Sequence, residues 1–169
     1  MDSKNQSAGL DSVFSDLVRV QIEIWAAVDA RLRDESDLTV ARWQVMRSIA
    51  AHDDCRVGDI ADDLGVTVGG ASKVVDRIED AGHCTRRANP VDRRSSIVAL
   101  TASGGEALGA ASAAADAVLR DRLAGPLGAD RLTALSHDLA TLRASATASA
   151  SRSASGDEAA SSAAAEVSA

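Results

Sequence analysis

The stretch RVGDIADDLGVTVGGASKVVDRIEDAG, residues 56–82, confines this chain to few folds. Val57, Ile60, Ala61 and Leu64 recur at helical spacing for about two turns, and Gly65 supplies a left-handed stop. Thr67 is placed to cap a second helix, which buries Ala71, Val74, Val75 and Ile78 and stops at Gly82. Two short helices joined by a tight Gly-containing turn make a helix-turn-helix, a pattern that many helical hairpins share. The next segment of the chain narrows the choice. After Gly82 the apolar period changes to two, so residues 83–88 and 95–100 pair as antiparallel strands. Ile97 and Ala99 lie on one face of the second strand and Val98 and Leu100 on the other. Asn89-Pro90 and Asp92-Arg93-Arg94 form their loop, a typical turn composition. A helix-turn-helix running directly into a hairpin is a winged helix-turn-helix.

The flanks are helical. Leu10, Val13, Leu17, Val20, Ile24, Val28 and Leu32 predict a long amphipathic helix over 10–34. Thr39 caps a second helix with the stripe Val40, Trp43, Met46 and Ile49, ending near His52. Beyond the hairpin, Thr101 caps an alanine-rich helix that reaches about Leu123 and is broken by Gly125-Pro126. A last helix carries Leu132, Leu135, Leu139 and Leu142, a seam suited to a partner helix. Residues 144–169 are almost wholly Ala and Ser with no periodic apolar face, and read as a disordered tail. With aromatics at 2%, the chain suits thin, closely packed helices, and a core shared between two copies compensates. The fold class is mainly α, with a two-stranded β wing.

A formal charge of -7 argues against a general nucleic-acid glue, but charge is local. Within 86–94, Arg86, Arg87, Arg93 and Arg94 against Asp92 leave +3. Arginines at a wing tip reach phosphates or a narrow minor groove. The arginine bias, with Lys4 and Lys73 as the only lysines, also suits a GC-rich coding genome. No Gly-rich phosphate loop, HExxH or GxSxG is present, and Asp62-Asp63 and Glu79-Asp80 are neighbours that point apart on a helix, so no enzyme and no cofactor are expected. No run approaches the roughly 18 apolar residues of a membrane span, and the first residues show no charged-then-apolar signal. A cytoplasmic protein is expected. His52, Asp53, Asp54, Cys55 and the pair His83-Cys84 match no zinc spacing; they read as ordinary thiols, with a thiol or metal sensor as the sharper alternative.

LTVARWQVMRSIA, then DIADDLGVTVGGASKVVDRIEDAGH, then RRANPVDRRSSIVALTASG resembles the MarR family of bacterial transcriptional regulators, over residues 10–143 and most specifically over 38–106. The resemblance implies a homodimer with intertwined first and last helices, two winged domains on adjacent major grooves of a pseudopalindromic double-stranded DNA operator, usual repression, and release by a small aromatic or anionic effector. It divides the chain into a flexible N-terminus (1–9), a dimerisation helix (10–37), the winged domain (38–101), dimerisation helices (102–143) and the tail (144–169). It sets a recognition helix at 67–81, where Thr67, Val68, Gly69, Gly70, Ser72 and Lys73 meet the groove, with Asp76 and Arg77 a turn further on. Gly69 and Gly70 replace side chains that relatives often carry; they permit close backbone approach at roughly 1 kcal/mol of helix stability each. Arg86, Arg93 and Arg94 complete the DNA-binding set, Arg93 as the foremost wing contact, with Asp92 bracing an arginine. Trp25, Asp29, Trp43 and Arg47 are the implied effector-pocket residues. Peroxide-sensing relatives carry their reactive cysteine in the first helix; this chain has none there. The competing reading, motivated by Gly69-Gly70 and the acidic total, is a helical dimerisation or ligand-binding module without DNA function.

Overall fold

The structure is a computed structural model that describes the backbone of residues 2–92 and 95–166, and the side chains of 9–92 and 95–146. In chain order it comprises α1 (Asp2–Glu35), α2 (Val40–Ala51), α3 (Val57–Leu64), α4 (Val68–Asp80), β1 (Cys84–Ala88), β2 (Ser96–Leu100), α5 (Ala102–Leu119), a π-helical turn (Arg120–Ala124) and α6 (Gly125–Glu166). It divides into a unit of residues 1–122 and a unit of residues 123–169.

The first unit is a winged helix-turn-helix carried on α1 and α5. Its caps are those that the sequence announces. Thr39 Oγ1 accepts from the Arg42 N–H, Thr67 Oγ1 from Gly70 and Thr101 Oγ1 from Gly104, each satisfying an orphan donor of a first turn. Gly65 ends α3 with φ 65°, and Gly82 leaves α4 with φ 76°, both in the left-handed region that glycine enters without strain. The hairpin is antiparallel, Cys84 opposite Leu100 and Ala88 opposite Ser96. Arg56 adds a bridge to Ile97, and the Val98 N–H donates to the Cys55 carbonyl at 2.7 Å, so the start of α3 is stitched to the wing.

The core is continuous through this unit. Val28 and Leu32 of α1, Trp43, Met46 and Ile49 of α2, Ile60 of α3, Val75 and Ile78 of α4, Val98 of β2 and Ala111 and Ala115 of α5 are all buried. Alanines let α5 lie close to α1. The start of α5 lies against the turn before β1, where a Cβ on Gly104 would fall 1.9 Å from the His83 carbonyl oxygen. Of the apolar stripe expected on α1, only the C-terminal part reaches this core. Leu10, Val13, Leu17 and Val20 stay exposed, as do Phe14, Val18 and Ile22.

Three boundaries differ from expectation. The α1 helix begins at Asp2 and so takes in residues 2–9 of the stretch expected to be flexible. The π turn at Arg120–Ala124 carries the chain past Gly125-Pro126, and the helical geometry is interrupted at Gly128 (φ 72°, ψ 170°) instead. Proline is tolerated in the first turn of a helix because its missing N–H is not needed there, whereas only glycine enters the conformation of Gly128 readily. The backbone of α6 continues as helix to Glu166, through most of the expected tail. Lack of an apolar face bears on packing, and alanine still has the highest intrinsic helix propensity. Within the second unit Leu139 and Leu142 of the leucine seam are exposed.

Candidate nucleic-acid interface and adjoining pocket

Helix α4 buries Ala71, Val75 and Ile78 against the core, which turns Gly69, Lys73, Asp76, Arg77 and Asp80 outward. Thr67, Val68 and Gly70 are exposed at its first turn, and Ser72 is half-buried at its flank. Lys73 and Arg77 form no ion pair among the described residues, so two cations stand on this surface with their charge uncommitted. The short α3 that supports the turn is held by Asp59, whose carboxylate accepts from the Arg56 backbone N–H at 2.8 Å and from its guanidinium at 3.0 and 3.1 Å. Those hydrogen bonds keep the Asp59 carboxyl below its ordinary range.

Arg86 differs from the role expected of it. Its side chain turns from the hairpin onto α4, where the guanidinium donates to Asp76 at 2.6 Å, to Glu79, and at 3.5 Å to the Ser72 carbonyl. The Arg86 backbone N–H also reaches Glu79 Oε1 at 2.9 Å. Burial works against its charge, but these hydrogen bonds and carboxylates prevail and its pKa is raised. Arg86 thus clasps the recognition helix to the wing, its donors used inside the protein. Sequence spacing could not show this, because the partners lie on another element. Arg87 similarly pairs with Asp54 across the base of the wing.

The wing loop is built by Asn89, which the sequence marked only as turn composition. Its Oδ1 accepts from the Val91 and Asp92 N–H groups and its Nδ2 donates to Ser95 Oγ at 2.9 Å, a folded Asx turn around Pro90. Asp92 accepts through its carbonyl from the Ser95 N–H, and its negative charge joins Asp59 in raising the Arg56 pKa. Arg93 and Arg94, the foremost wing contacts of the sequence reading, lie outside the described residues.

Beside this surface, α1 and α2 enclose a cavity of about 220 Å³ lined by Gln21, Trp25, Trp43, Gln44 and Arg47, with Leu119 of α5 closing one side. The Arg47 guanidinium lies 4.9 Å from the centroid of the Trp43 ring. Trp43 is a core residue that serves as a wall, its indole N–H donating to Ser112 at 3.1 Å. Trp25 is 44% exposed and also borders a second cavity of about 330 Å³, shared with Val45, Leu64, Val66, Gly70 and Val74. Three of the four expected residues therefore meet. Asp29 does not join them: its Oδ1 accepts from the Val40 N–H at 3.0 Å and its Oδ2 pairs with Arg33 at 2.8 Å. An orphan donor at the start of α2 has claimed that carboxylate.

Cys55 and Cys84 are free and buried. Burial, reinforced by Asp59 and Asp63 for the first and Glu79 for the second, pushes each thiol up to about 11. The thiolate is the reactive form, and at neutral pH such thiols are overwhelmingly neutral. His52 is engaged with the Ser48 carbonyl at 2.9 Å, and no cluster of three or more His, Cys, Asp or Glu is placed to hold a metal among the described residues. No described helix is long and apolar enough to cross a membrane.

The MarR family model matches residues 38–96, the span from the start of α2 into β2. A transcriptional repressor, CouR, solved bound to a 23-mer DNA duplex, is 31% identical, with a TM-score of 0.69 over 75% of this chain and 89% of that one. The chain belongs to the MarR family. CouR from Rhodococcus jostii RHA1, solved with p-coumaroyl-CoA, aligns at 25% identity and a TM-score of 0.69 over 79% of this chain and 90% of that one. Sco3205, a MarR family transcriptional regulator from Streptomyces coelicolor solved in complex with DNA, shares the fold at 18% identity and a TM-score of 0.73, over 80% and 86% of the two chains. No curated protein sequence matches. As a MarR-family regulator the chain has its winged helix-turn-helix, its clasped recognition helix and its Trp-Arg cavity within one unit.

Proposed function

We propose that this MarR-family chain is a cytoplasmic, homodimeric repressor that binds a pseudopalindromic DNA operator and releases it when a small aromatic or anionic effector enters the Trp25–Trp43–Arg47 cavity. It acts by binding, without catalysis. The observation that carries the reading is the outward face of α4, where Lys73 and Arg77 stand exposed and outside any ion pair among the described residues, while Arg86 engages Asp76 and Glu79 beside them. A chain of net negative charge thereby offers DNA a recognition helix with free cations. CouR and Sco3205 support it, each having been solved on DNA.

Dimerisation accounts for the exposed Leu10, Val13, Phe14, Leu17, Val18 and Ile22 on α1 and for Leu139 and Leu142 on α6, more apolar surface than a lone chain ordinarily leaves to water. Two copies place their recognition helices about one turn of DNA, 10–10.5 bp, apart or at a multiple of it. Arg47 over Trp43 suits a ligand with an anionic group beside an aromatic or apolar body. CouR's complex with p-coumaroyl-CoA supports a ligand of that kind.

The test is fluorescence anisotropy of the full chain on its own upstream intergenic DNA with excess nonspecific competitor, followed by selection of bound fragments from the whole genome. Saturable binding that survives competitor, and is reversed by an effector whose action Arg47→Ala abolishes, is the expected outcome. An empty genome-wide selection refutes the DNA reading and leaves the ligand-binding module without DNA function.

A further inference from the structure

The helical glycines of the winged unit sort into those that the protein requires and those that it does not. Gly65 and Gly82 occupy positive φ, which another residue enters only with strain. Gly104 faces the His83 carbonyl, with no room for a Cβ, and a Cβ on Gly70 would press on the capping Thr67 hydroxyl at 3.1 Å. Gly69 has no such reason. Its backbone is helical, and a Cβ built there meets nothing within 4 Å. Glycine at that position weakens the helix and gains nothing inside the fold.

Its place is informative. Gly69 lies on the face of α4 opposite the buried Ala71, Val75 and Ile78, four residues before the exposed Lys73. That is the first turn of the outward face, at the end of the helix that enters a major groove first. Resting on the DNA-binding reading above, we propose that Gly69 is the point of closest approach of α4 to the operator, and that a base-pair edge occupies the space its missing side chain leaves. The base pair beneath it is selected by backbone proximity, and Lys73 is drawn near enough to reach the neighbouring phosphates or base edges. Gly69 is on this account a specificity-determining residue that the DNA requires and the protein tolerates.

The experiment compares Gly69→Ala with wild type in two readouts, using duplexes that the full-length wild type selects from random DNA. Free Gly69→Ala should melt about 2–4 °C higher, since alanine is the better helix former. On the selected duplex it should bind about tenfold more weakly, the factor that an overpacked contact carries. Gly105→Ala is the control: that glycine is also exposed and helical with open space around it, on α5, and its variant should gain stability and keep affinity. Gly69→Ala binding within twofold of wild type overturns the inference while leaving the regulator reading intact. A melting temperature that falls shows a structural need for glycine and overturns it too. If the wild type selects no sequence, the regulator reading itself fails and takes this inference with it.

Discussion

Neutralising Arg86 separates a clasp from a DNA contact. Its side chain is 23% exposed, between Asp76 at 54% and Glu79 at 35%, so water screens the pairs in part. Partly exposed ion pairs contribute about 0.2–1 kcal/mol each, which sets the cost of losing both in Arg86→Gln at about 0.4–2 kcal/mol. In a chain of this length that lowers the melting temperature by roughly 1–8 °C. The same change frees two carboxylates on the helix presented to DNA. The one positive charge lost, at about 10 Å from a phosphate in water, is worth roughly 0.4 kcal/mol, so operator binding weakens about twofold at low salt. Removing those charges should restore it: Arg86→Gln combined with Asp76→Asn and Glu79→Gln is expected to bind as tightly as wild type. Anisotropy titrations across a salt series, paired with thermal melts, read every quantity needed. Had Arg86 touched a phosphate, Arg86→Gln would lower the salt slope by about 0.9 and leave the melting temperature alone. That result refutes the clasp.

Two further outcomes rest on the packing. Gly104→Ala should destabilise the fold by about 3 kcal/mol or more, measured by urea denaturation, because the new methyl meets the His83 carbonyl at 1.9 Å and backbone must move; a loss under about 0.5 kcal/mol contradicts that geometry. Cys55 and Cys84 should stay unreactive toward a disulfide reagent at pH 8 until the chain unfolds. Their folded pKa values of about 11 exceed the unfolded value, so the stability linked to the neutral thiols is full below about pH 9 and is lost as pH rises toward 11; the double alanine variant should flatten that decline.

Much of the winged unit could be read from local rules. The caps at Thr39, Thr67 and Thr101, the stop at Gly65 and the change of period after Gly82 each depend on residues a few positions apart, and each stands where the pattern put it. The ends of the chain were read less well. Apolar periodicity reports packing, whereas the backbone of 144–166 follows alanine's own propensity for helix, and Gly128 breaks α6 through its own backbone angles while the more conspicuous Pro126 does not.

At the functional surface the division has a physical cause. Composition and spacing determined the fold class, the helix-turn-helix and the local excess of arginine, because these are properties of neighbours along the chain. Which charges remain available to a partner is a property of neighbours in space. Only the tertiary structure turned Arg86 onto Asp76 and Glu79, ten and seven residues back. It likewise committed Asp29 to the first turn of α2, eleven residues on, and set Trp25 and Leu119 from other helices around the local Trp43–Arg47 pair to make a cavity. An arginine or aspartate in the sequence is a charge of unknown destination; hydrogen-bond partners from other elements decide whether it is spent inside the protein or offered outside it.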